Sequence, residues 1–519
     1  MQLKPRTNQV DSKRCLIITI AFIAAKLALH LAFAGNYELH RDELLYFNMA
    51  DYPDTGYATV PPMIGWLSFI MKSLFGYSQF GLRLISALFS ALCMWLIALL
   101  IKELKGSMSA LIVACTAFLL TPGFLVFHTL FTPNVIEHVL WLWLVFLVVR
   151  LGRTKNLNNW YWIGMVVGLA LLTKYSVLIL AAVLVLSMLF TEHRRLLFSR
   201  HFVVSILIAL VIFAPNVHWQ YQHGWPVFSH MEELERTQLV NMRLTNFFED
   251  LFSLTGLWFL LCLIGIIAMI ARNERGLRFL GIASALLFIA FILLRGKAYY
   301  FLGVVPALYA VGAISIERYI SARWEYALIG PAILLSIASL PFCLPMLSFE
   351  RLNNYAKHFG PLPIYPFARW EDGNVRPVSQ IFADMTGWKE LTHLVAKAYN
   401  SLSEEDRQRC TIYVQRNYGD AGAINFYGKE YGLPKPITFL ESYVLWAPDG
   451  IPKGPVIYVY TDPGDLGRLF HKMEEIGTVT DPNFREQGMK VYLYTLPNDL
   501  LQESYRETAK EEKAIFRRK

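Results

Sequence analysis

The feature that most constrains the fold is a succession of apolar runs, most of them near the length needed to cross a membrane. The first run, Cys15 to Ala34, has twenty residues and lacks the polar tail and small-residue cleavage site of a removable signal peptide, so we interpret it as a retained helix. Hydrophobic residues make up 55% of the 519 residues and charged residues only 17%, which is too apolar for a soluble globular protein. The remaining runs lie near residues 80–101, 107–127, 134–149, 160–190, 202–217, 251–271, 277–294, 299–316 and 326–347. The pattern predicts an α-helical polytopic membrane protein.

The run at 160–190 is long and is interrupted by Thr173 to Ser176, in "LLTKYS". Both of its flanks are basic, and a single helix cannot have both ends on the cytoplasmic side under the positive-inside rule. We therefore expect two short helices here, which brings the predicted total to about eleven transmembrane helices.

The loops predict the orientation. One set of alternate loops holds seventeen Lys and Arg and the other holds seven. The basic set comprises residues 1–14, 102–106, 150–155, 191–201, 271–278 and 317–323; the other comprises residues 36–79, 122–133, 173–176, 218–250 and 295–298. This asymmetry predicts a cytoplasmic N-terminus, and the odd helix count then places the chain after Phe349 outside the cytoplasm. We expect a multi-pass protein of the inner (plasma) membrane.

The chain changes character after Phe349. Its apolar runs shorten to strand length in "CTIYVQ", "PVIYVYT" and "MKVYLYTL", and "WKELTHLVAKAYNSLSEEDR" has a helical pattern. We predict two domains, a transmembrane domain at 1–349 and a soluble α/β domain on the outer face at 350–519.

Two adjacent acids, Asp42 and Glu43, follow the first apolar run in "HRDELLYF". A carboxylate at the rim of a low-dielectric cavity can have its pKa raised enough to act as a general base. A solvated loop acid or a helix cap is the ordinary alternative for such a pair.

Four cations are predicted on the same outer face, namely Arg41, Arg83, Lys174 and Lys297. Cations at membrane depth are costly and usually face a cavity or a partner. Because they come from four distant segments, we predict that they bind one anionic ligand, with a lipid phosphate as the first candidate. For any one of them, snorkelling to the headgroups remains an alternative.

Further polar and aromatic residues of these loops are candidates for lining a substrate pocket. They are Tyr46, Glu137, His138, Tyr175, His223, Tyr299 and Tyr300. Aromatic residues at a membrane interface are also expected as anchors. The pair Glu137 and His138 is too small a ligand set for a metal site, so we expect no required cofactor, although a divalent ion is conceivable. The six cysteines form no CxxC pair and indicate neither a disulfide framework nor a zinc site.

Several stretches occur in the order typical of a known family. These are "LHRDELLYFNMAD", "FTPNVIEHVLWLWLVFLVVRL", "GLALLTKYSVLIL", "PNVHWQYQHGWPVF", "GKAYYFLGVVPALYAVGAISIE" and, in the tail, "ADMTGWKELTHLVAKAY" and "NYGDAGAINFYGKEYGLP". The chain resembles the bacterial PMT-like glycosyltransferases of the GT-C group, which contains protein O-mannosyltransferases and lipid A aminoarabinose transferases. Two places depart from the family pattern: Glu137 and His138 stand where Asp and Gln are common, and Asp420 stands where Glu is expected.

The resemblance implies a membrane transferase that moves a sugar from a polyprenyl-phosphate-linked donor to an acceptor hydroxyl at the outer face. One carboxylate opposite a cation cluster is the minimal machinery for an in-line displacement, so we expect inversion. The resemblance also implies that Asp42 is the general base, that Glu43 supports it or holds the acceptor, and that Lys174 and Lys297 bind the donor phosphate. The acceptor is an envelope glycolipid such as lipid A or lipopolysaccharide core, another glycan or a protein, and no nucleic-acid partner is expected.

Two alternatives stay open from the residues alone. A transporter or flippase of a lipid-linked anion would use the same buried cations, and an inactive relative would bind lipid phosphate without turnover.

Overall fold

The computed structural model describes residues 12–237, 239–241, 243–319, 322–359 and 365–515. The chain up to Cys343 is helical throughout these ranges, with short connections. Its α-helices are α1 (Ser12–Leu31), α2 (Arg41–Asn48), α3 (Met63–Phe75), α4 (Gln79–Glu103), α5 (Met108–Leu120), α6 (Pro122–Phe127), α7 (Pro133–Thr154), α8 (Asn159–Leu171), α9 (Val177–Leu189), α10 (Arg194–Leu197), α11 (Arg200–Gln222), α12 (Pro226–Thr237), α13 (Leu244–Thr255), α14 (Phe259–Arg272), α15 (Arg278–Leu293), α16 (Val305–Tyr319) and α17 (Ala322–Cys343).

Five helices in the described part of the chain are long and apolar enough to cross a membrane. They are Lys13–Leu31, Gln79–Glu103, Pro133–Thr154, Arg200–Gln222 and Leu244–Arg272, the last of which runs through a bend at Gly256. Six shorter apolar helices accompany them, at Met63–Phe75, Met108–Leu120, Asn159–Leu171, Val177–Leu189, Arg278–Leu293 and Ile329–Cys343. The predicted class, an α-helical polytopic membrane protein, is confirmed. The run at 160–190 is two helices, α8 and α9, as predicted.

The rest of the chain mixes short helices with one small sheet, so the predicted α/β tail is also confirmed. Its elements are α18 (Phe349–Phe359), α19 (Gln380–Ala383), α20 (Trp388–Asn400), α21 (Glu404–Arg409), β1 (Thr411–Val414), α22 (Tyr418–Tyr427), α23 (Tyr443–Trp446), β2 (Val456–Tyr460), β3 (Phe470–Thr478), β4 (Lys490–Pro497) and α24 (Leu500–Ile515). The helical pattern predicted from Trp388 is divided into α20 and α21, because Ser403 accepts a hydrogen bond from the backbone N–H of Asp406 and so begins a new helix.

The sheet has the strand order β1-β2-β4-β3, with β1 parallel to β2 and the other neighbours antiparallel. Its aromatic residues pack with α24, where Tyr458, Tyr492 and Tyr494 are buried together with Leu501 and Tyr505. Burial of these large rings supplies the hydrophobic stabilisation of this face.

The described residues form two compact units. Unit 1 comprises Met1–Ala34, Phe80–Pro215 and Leu234–Ser379, and unit 2 comprises Gly35–Gln79, Asn216–Glu233 and Gln380–Lys519. Packing therefore groups the segments Gly35–Gln79 and Asn216–Glu233 with the part of the tail that begins at Gln380. The predicted boundary between residues 349 and 350 concerns which residues lie in the membrane, and it stays a prediction.

Two glycines of "NYGDAGAINFYG" bring α22 against α2 inside unit 2. A Cβ atom on Gly422 would lie 2.7 Å from the Cβ atom of Leu44, and one on Gly419 would lie 2.9 Å from that of Arg41. These distances are shorter than real Cβ contacts allow, so only glycine permits this approach. The close packing holds the "HRDELLYF" helix on the tail.

Candidate active site

The motif that carries Asp42 forms the start of α2 in unit 2. His40 is the N-cap: its Nδ1 accepts the backbone N–H of Asp42 at 3.1 Å, and its own backbone N–H donates to Oε2 of Glu43 at 2.9 Å. This reciprocal pair is a capping box. Glu43 is fully buried. Its hydrogen bond caps the helix at His40, and both predicted roles of Glu43, support of Asp42 and contact with the acceptor, stay predictions.

Asp42 differs from its neighbour in access, because its side chain is 30% exposed. The hydroxyl of Tyr418, at the start of α22, donates to Oδ1 of Asp42 at 2.6 Å. The Nε of Arg41 lies 3.6 Å from the same oxygen, and the Arg41 guanidinium lies 5.6 Å above the Tyr418 ring. Asp42 is thus an accessible carboxylate whose orientation is set by a phenol of the tail.

Most of the positively charged groups beside Asp42 are paired with a fully buried acid, Asp384. Its Oδ2 lies 3.3 Å from Nε of Arg41, 3.0 Å from a guanidinium nitrogen of Arg485 and 3.5 Å from Nε2 of His40. Burial alone would raise the pKa of Asp384, but these neighbours outweigh it and hold the pKa below its usual value. Arg41, predicted to bind donor phosphate, therefore has a structural partner within its own unit, and its phosphate role stays a prediction.

Glu441 is a second carboxylate near Asp42. It has a left-handed backbone (φ 53°), which is rare for a residue other than glycine and occurs where surrounding structure enforces it. Its side chain is hydrogen-bonded to Thr59. Burial, together with repulsion from Asp42, raises the pKa of Glu441 to about 7. Tyr46, one turn along α2, is also near both acids: burial and then the charges of Asp42 and Glu441 raise the pKa of its phenol.

In unit 1 the structure brings together four of the predicted residues, Lys174, Glu137, Tyr299 and Tyr300. The Nζ of Lys174 lies 3.1 Å from Oε2 of Glu137 and 2.8 Å from Oδ1 of Asn134. The same ammonium group lies 4.5 Å from the ring centroid of Tyr300 and 5.3 Å from that of Tyr299. This lysine cluster combines one acid with two aromatic rings, and Lys174 keeps a 24% exposed side chain.

The other two predicted phosphate ligands have partners elsewhere in unit 1. Lys297 forms an ion pair with Glu371 at 3.0 Å. Arg83 is almost fully buried and donates to the backbone carbonyl of Ala34 at 2.5 Å. This contact links α4 to the segment that follows α1, so Arg83 has a structural contact, and its phosphate role stays a prediction.

His138, Tyr175 and His223 have other neighbours. His138 is buried, and its Nδ1 lies 3.1 Å from Nε2 of His128, whose Nδ1 is bonded to Ser90. Tyr175 packs edge-on against Phe213 at 5.8 Å. His223 belongs to unit 2, where it stacks on Trp219 at 4.1 Å between ring centroids and bonds to that residue's carbonyl. Their places in a substrate pocket stay predictions.

Sequence reasoning missed Tyr418, Asp384, Arg485 and Glu441. Two of them lie in tail stretches that carry the family resemblance, "ADMTGW" and "NYGDAG". That resemblance was the available signal, but nothing in the tail sequence indicates that its partners lie in "HRDELLYF".

Among the described residues, no group of three or more His, Cys, Asp or Glu side chains is arranged to hold a metal ion. The expectation that no cofactor is required stays a prediction.

One unit is apolar and helical and carries the partly exposed Lys174, and the other carries the oriented carboxylate of Asp42; the class this fold defines is a polytopic α-helical membrane protein with a C-terminal α/β region. Residues 59–219 match the family described as dolichyl-phosphate-mannose-protein mannosyltransferase. The lipid A galacturonosyltransferase RgtD of Rhizobium johnstonii is 27% identical over 223 residues, which are 41% of this chain and 46% of RgtD. The match thus spans less than half the length of that relative.

The fold is similar to that of ArnT from Cupriavidus metallidurans. The apo structure of ArnT gives a TM-score of 0.63 at 16% identity and covers 92% of this chain and 98% of ArnT. The structure of ArnT bound to undecaprenyl phosphate gives 0.61 at 16% identity, over 93% and 98%. These findings confirm the predicted resemblance to the bacterial PMT-like proteins of the GT-C group.

Proposed function

We propose that this chain is a membrane glycosyltransferase that moves a sugar from a polyprenyl-phosphate-linked donor to an acceptor hydroxyl, with inversion, at the outer face of the inner membrane. The ArnT-like fold, the mannosyltransferase family match over residues 59–219 and the similarity to RgtD support the coarse activity. The donor class is supported by the undecaprenyl phosphate bound to ArnT in one of its structures.

The observation that carries the proposal is the state of Asp42. Its neighbour Glu43 is sealed in the capping box, whereas Asp42 is accessible and held by Tyr418 at 2.6 Å. A fixed, accessible carboxylate suits general-base chemistry, because the base must meet the acceptor proton in a defined orientation. In the proposed step Asp42 accepts the proton of the acceptor hydroxyl as its oxygen attacks the anomeric carbon.

The lysines of unit 1 suit the other half of the step. The bond between the anomeric carbon and the phosphate oxygen breaks, and the lipid phosphate leaves with the electron pair. Its proton affinity is low, so it needs positive charge more than a general acid. We assign this role to Lys174 and Lys297. A single in-line displacement inverts the anomeric centre.

The acceptor we propose first is an envelope glycolipid. RgtD is by name a lipid A galacturonosyltransferase, which supports a lipid A-like acceptor over a protein. The positive-inside pattern supports a cytoplasmic N-terminus and a tail outside. Labelling of a Lys453→Cys variant by a membrane-impermeant maleimide in intact cells tests this sidedness, because Lys453 is half exposed in the tail. Labelling that requires cell lysis would place the tail in the cytoplasm.

The test of the function is transfer of labelled sugar from polyprenyl-phosphate donors to an envelope extract by the purified protein. We expect Asp42→Asn to lower the rate about 10²–10⁴-fold, the usual contribution of a general base. Asp372→Asn is the matched control, because Asp372 forms an exposed ion pair with Arg376 and should leave the rate unchanged. Equal product from Asp42→Asn and wild type would move the base elsewhere, and no product from either would refute the proposed activity.

A further inference from the structure

A cavity of about 220 Å³ lies in unit 2 at the C-terminal end of α2, the helix that begins beside Asp42. Asn48 closes α2 and lines the cavity, together with Tyr52, Asn425, Lys435, Tyr443 and Trp446. None of these residues was singled out from the sequence. The lining combines amides, phenols, an indole and one ammonium group with the hydroxyl of Thr438 and the apolar side chains of Pro436, Ile437, Ala447 and Pro448.

The amides on the wall are held in fixed orientations. Nδ2 of Asn425 donates to Oδ1 of Asn48 at 2.6 Å, and Nδ2 of Asn48 donates to the hydroxyl oxygen of Tyr443. Asn48 is almost fully buried. A phenol that accepts a hydrogen bond keeps its own proton to donate, so Tyr443 is a directed donor. Such preorganised polar groups match the hydroxyls of a sugar ring.

The other part of the cavity wall is aromatic. Trp446 stacks on Tyr52 with ring centroids 4.5 Å apart and an interplanar angle of 7°, and Tyr443 meets Trp446 edge-on at 5.2 Å. Rigid rings offer the apolar surface on which the C–H face of a sugar packs, at little cost in side-chain entropy. A mixed wall of rings and amides fits a saccharide better than a lipid chain or a metal ion.

The charge near the cavity is positive. Asp51 is shared by two lysines: Lys72 is bonded to its Oδ1, and Lys435 lies 3.4 Å from its Oδ2. One carboxylate cannot neutralise two ammonium groups, so this trio carries a net charge of one positive unit. Lys435 is more than half exposed and lines the cavity, and its Nζ lies 4.8 Å from the ring centroid of Tyr52, another lining residue, so an ammonium group is close to any bound ligand.

We propose that this cavity binds an acidic sugar unit of the acceptor, one that bears a carboxylate or a phosphate. The proposal rests on the proposed transferase function and extends it. Asn48 is six residues from Asp42 on one helix, so at 1.5 Å per residue the cavity lies about 9 Å from the candidate base along α2. Six residues at 3.6 per turn also place the two side chains on different sides of α2, so a short oligosaccharide with one unit in the cavity reaches Asp42 by following the surface of the helix.

Direct binding tests the cavity without requiring activity. Saturation-transfer NMR on the full-length protein in detergent compares three probes: glucose, glucuronic acid and glucose 1-phosphate. We expect both acidic probes to bind about tenfold more tightly than glucose, and Lys435→Gln to abolish that preference. Lys429→Gln is the control, because Lys429 is an exposed lysine of the same unit outside the cavity lining. Trp446→Ala should remove binding of all three probes. If that variant fails to fold, the result with Lys435→Gln decides.

The outcomes separate the two proposals. Asp42→Asn should keep the acidic-sugar preference, since it alters only the candidate base. In the transfer assay, Lys435→Gln should raise the acceptor KM about tenfold with kcat and donor KM unchanged. No transfer by wild type, together with the expected binding pattern, would refute the function and leave a sugar-binding site. Equal binding of all probes, or acceptor KM values unaffected by Lys435→Gln, would overturn the cavity assignment while the transferase stands. Preference for one acidic probe would identify the substituent.

Discussion

Asp42 in unit 2 and Lys174 in unit 1 are both partly exposed charges, but the groups around them differ in kind. The cations near Asp42 are drawn to the buried Asp384, so its closest partner is a neutral phenol, Tyr418, at 2.6 Å. Lys174 has a direct ionic partner in Glu137 at 3.1 Å and two tyrosine rings. The carboxylate is oriented by a neutral group, whereas the ammonium is neutralised in place.

This difference has a chemical consequence. The Tyr418 hydroxyl is closer to Oδ1 of Asp42, at 2.6 Å, than Arg41 is, at 3.6 Å, so the carboxylate has a defined orientation, which suits a general base. A lysine already paired with an acid is not attracted to just any anion, because a ligand must compete with Glu137 for it. The comparison predicts that disturbing unit 2 affects folding and proton transfer, and that disturbing the lysine cluster affects lipid-phosphate affinity.

The largest effect expected on stability comes from Asp384→Ala. Removal of this buried acid leaves Arg41, Arg485 and His40 without their shared partner, and breaking a buried ionic network costs about 3–5 kcal/mol. Because the pKa of Asp384 is depressed, its stabilisation is present above the ordinary pKa of aspartate and is lost as the pH falls through the depressed value. Denaturant unfolding in detergent at pH 7 measures the loss.

Asp372→Ala is the matched control for that variant. Asp372 forms an ion pair at the surface with Arg376, four residues further along the chain. Such exposed pairs contribute only about 0.2–1 kcal/mol. Similar losses in the two variants would show that Asp384 does not organise the site, and the contrast between the units would then disappear.

The sequence was sufficient for the features that depend on local pattern. The break at Thr173 to Ser176 follows from basic flanks on both sides of one apolar run, and three of the four strands follow from short apolar runs between turns. Strand β3 was not predicted, because most of its residues are exposed and, within the described part of the chain, it is an edge strand paired with β4. An edge strand without an apolar face carries no periodic signal.

The candidate site was predicted only in part, for a similar reason. Asp42 and Lys174 were recognised from their own surroundings in the sequence. The partner of Asp42, Tyr418, is 376 positions away, and a single sequence does not reveal which residues meet across such a distance. His138 illustrates the converse: it adjoins Glu137 in the chain, but helix geometry turns it toward His128 while Glu137 meets Lys174.

The next effect concerns the lysine cluster. We expect Lys174→Gln to weaken binding of undecaprenyl phosphate about tenfold to hundredfold, since hydrogen bonds to charged groups contribute about 1.5–3 kcal/mol. Glu137→Gln should strengthen the binding of undecaprenyl phosphate, because the acid that competes for Lys174 is removed. Binding is measured by titration of the lipid phosphate into purified protein.

Lys102→Gln provides the control for this series, since Lys102 is an exposed lysine at the end of α4. Asp42→Asn should also leave lipid-phosphate affinity unchanged. An equal loss with Glu137→Gln and Lys174→Gln would mean that the pair acts as one structural unit, and the assignment of Lys174 to the phosphate would be wrong.

A third variant perturbs the packing that positions Asp42. Gly422→Ala would place a Cβ atom 2.7 Å from the Cβ atom of Leu44, and overpacking of this kind costs about 1–3 kcal/mol. Gly467→Ala is the control, because no atom lies within 4 Å of the added methyl group. With Gly422→Ala, the midpoint temperature of thermal unfolding and the transfer rate should both fall, while the affinity for the lipid phosphate stays the same. Unchanged transfer would show that the α2 to α22 contact does not position the base.

The smallest effect is expected from Glu441→Gln, and it depends on pH. The pKa of Glu441 is raised to about 7 in the fold, so the folded protein binds a proton more tightly than the unfolded chain does. Between the ordinary pKa of glutamate and about 7 the wild type therefore loses stability as the pH rises. Glutamine carries no charge and keeps an oxygen that can accept from Thr59. The variant should match wild type at pH 5 and exceed it by about 1–2 kcal/mol at pH 8, at 1.36 kcal/mol per pKa unit with a discount for partial exposure. Unfolding curves at the two pH values measure the difference. A variant less stable than wild type at pH 8 would show that stabilising contacts hold the charged form of Glu441. Glu441 would then resemble Lys174, whose charge has a direct ionic partner, and not Asp42.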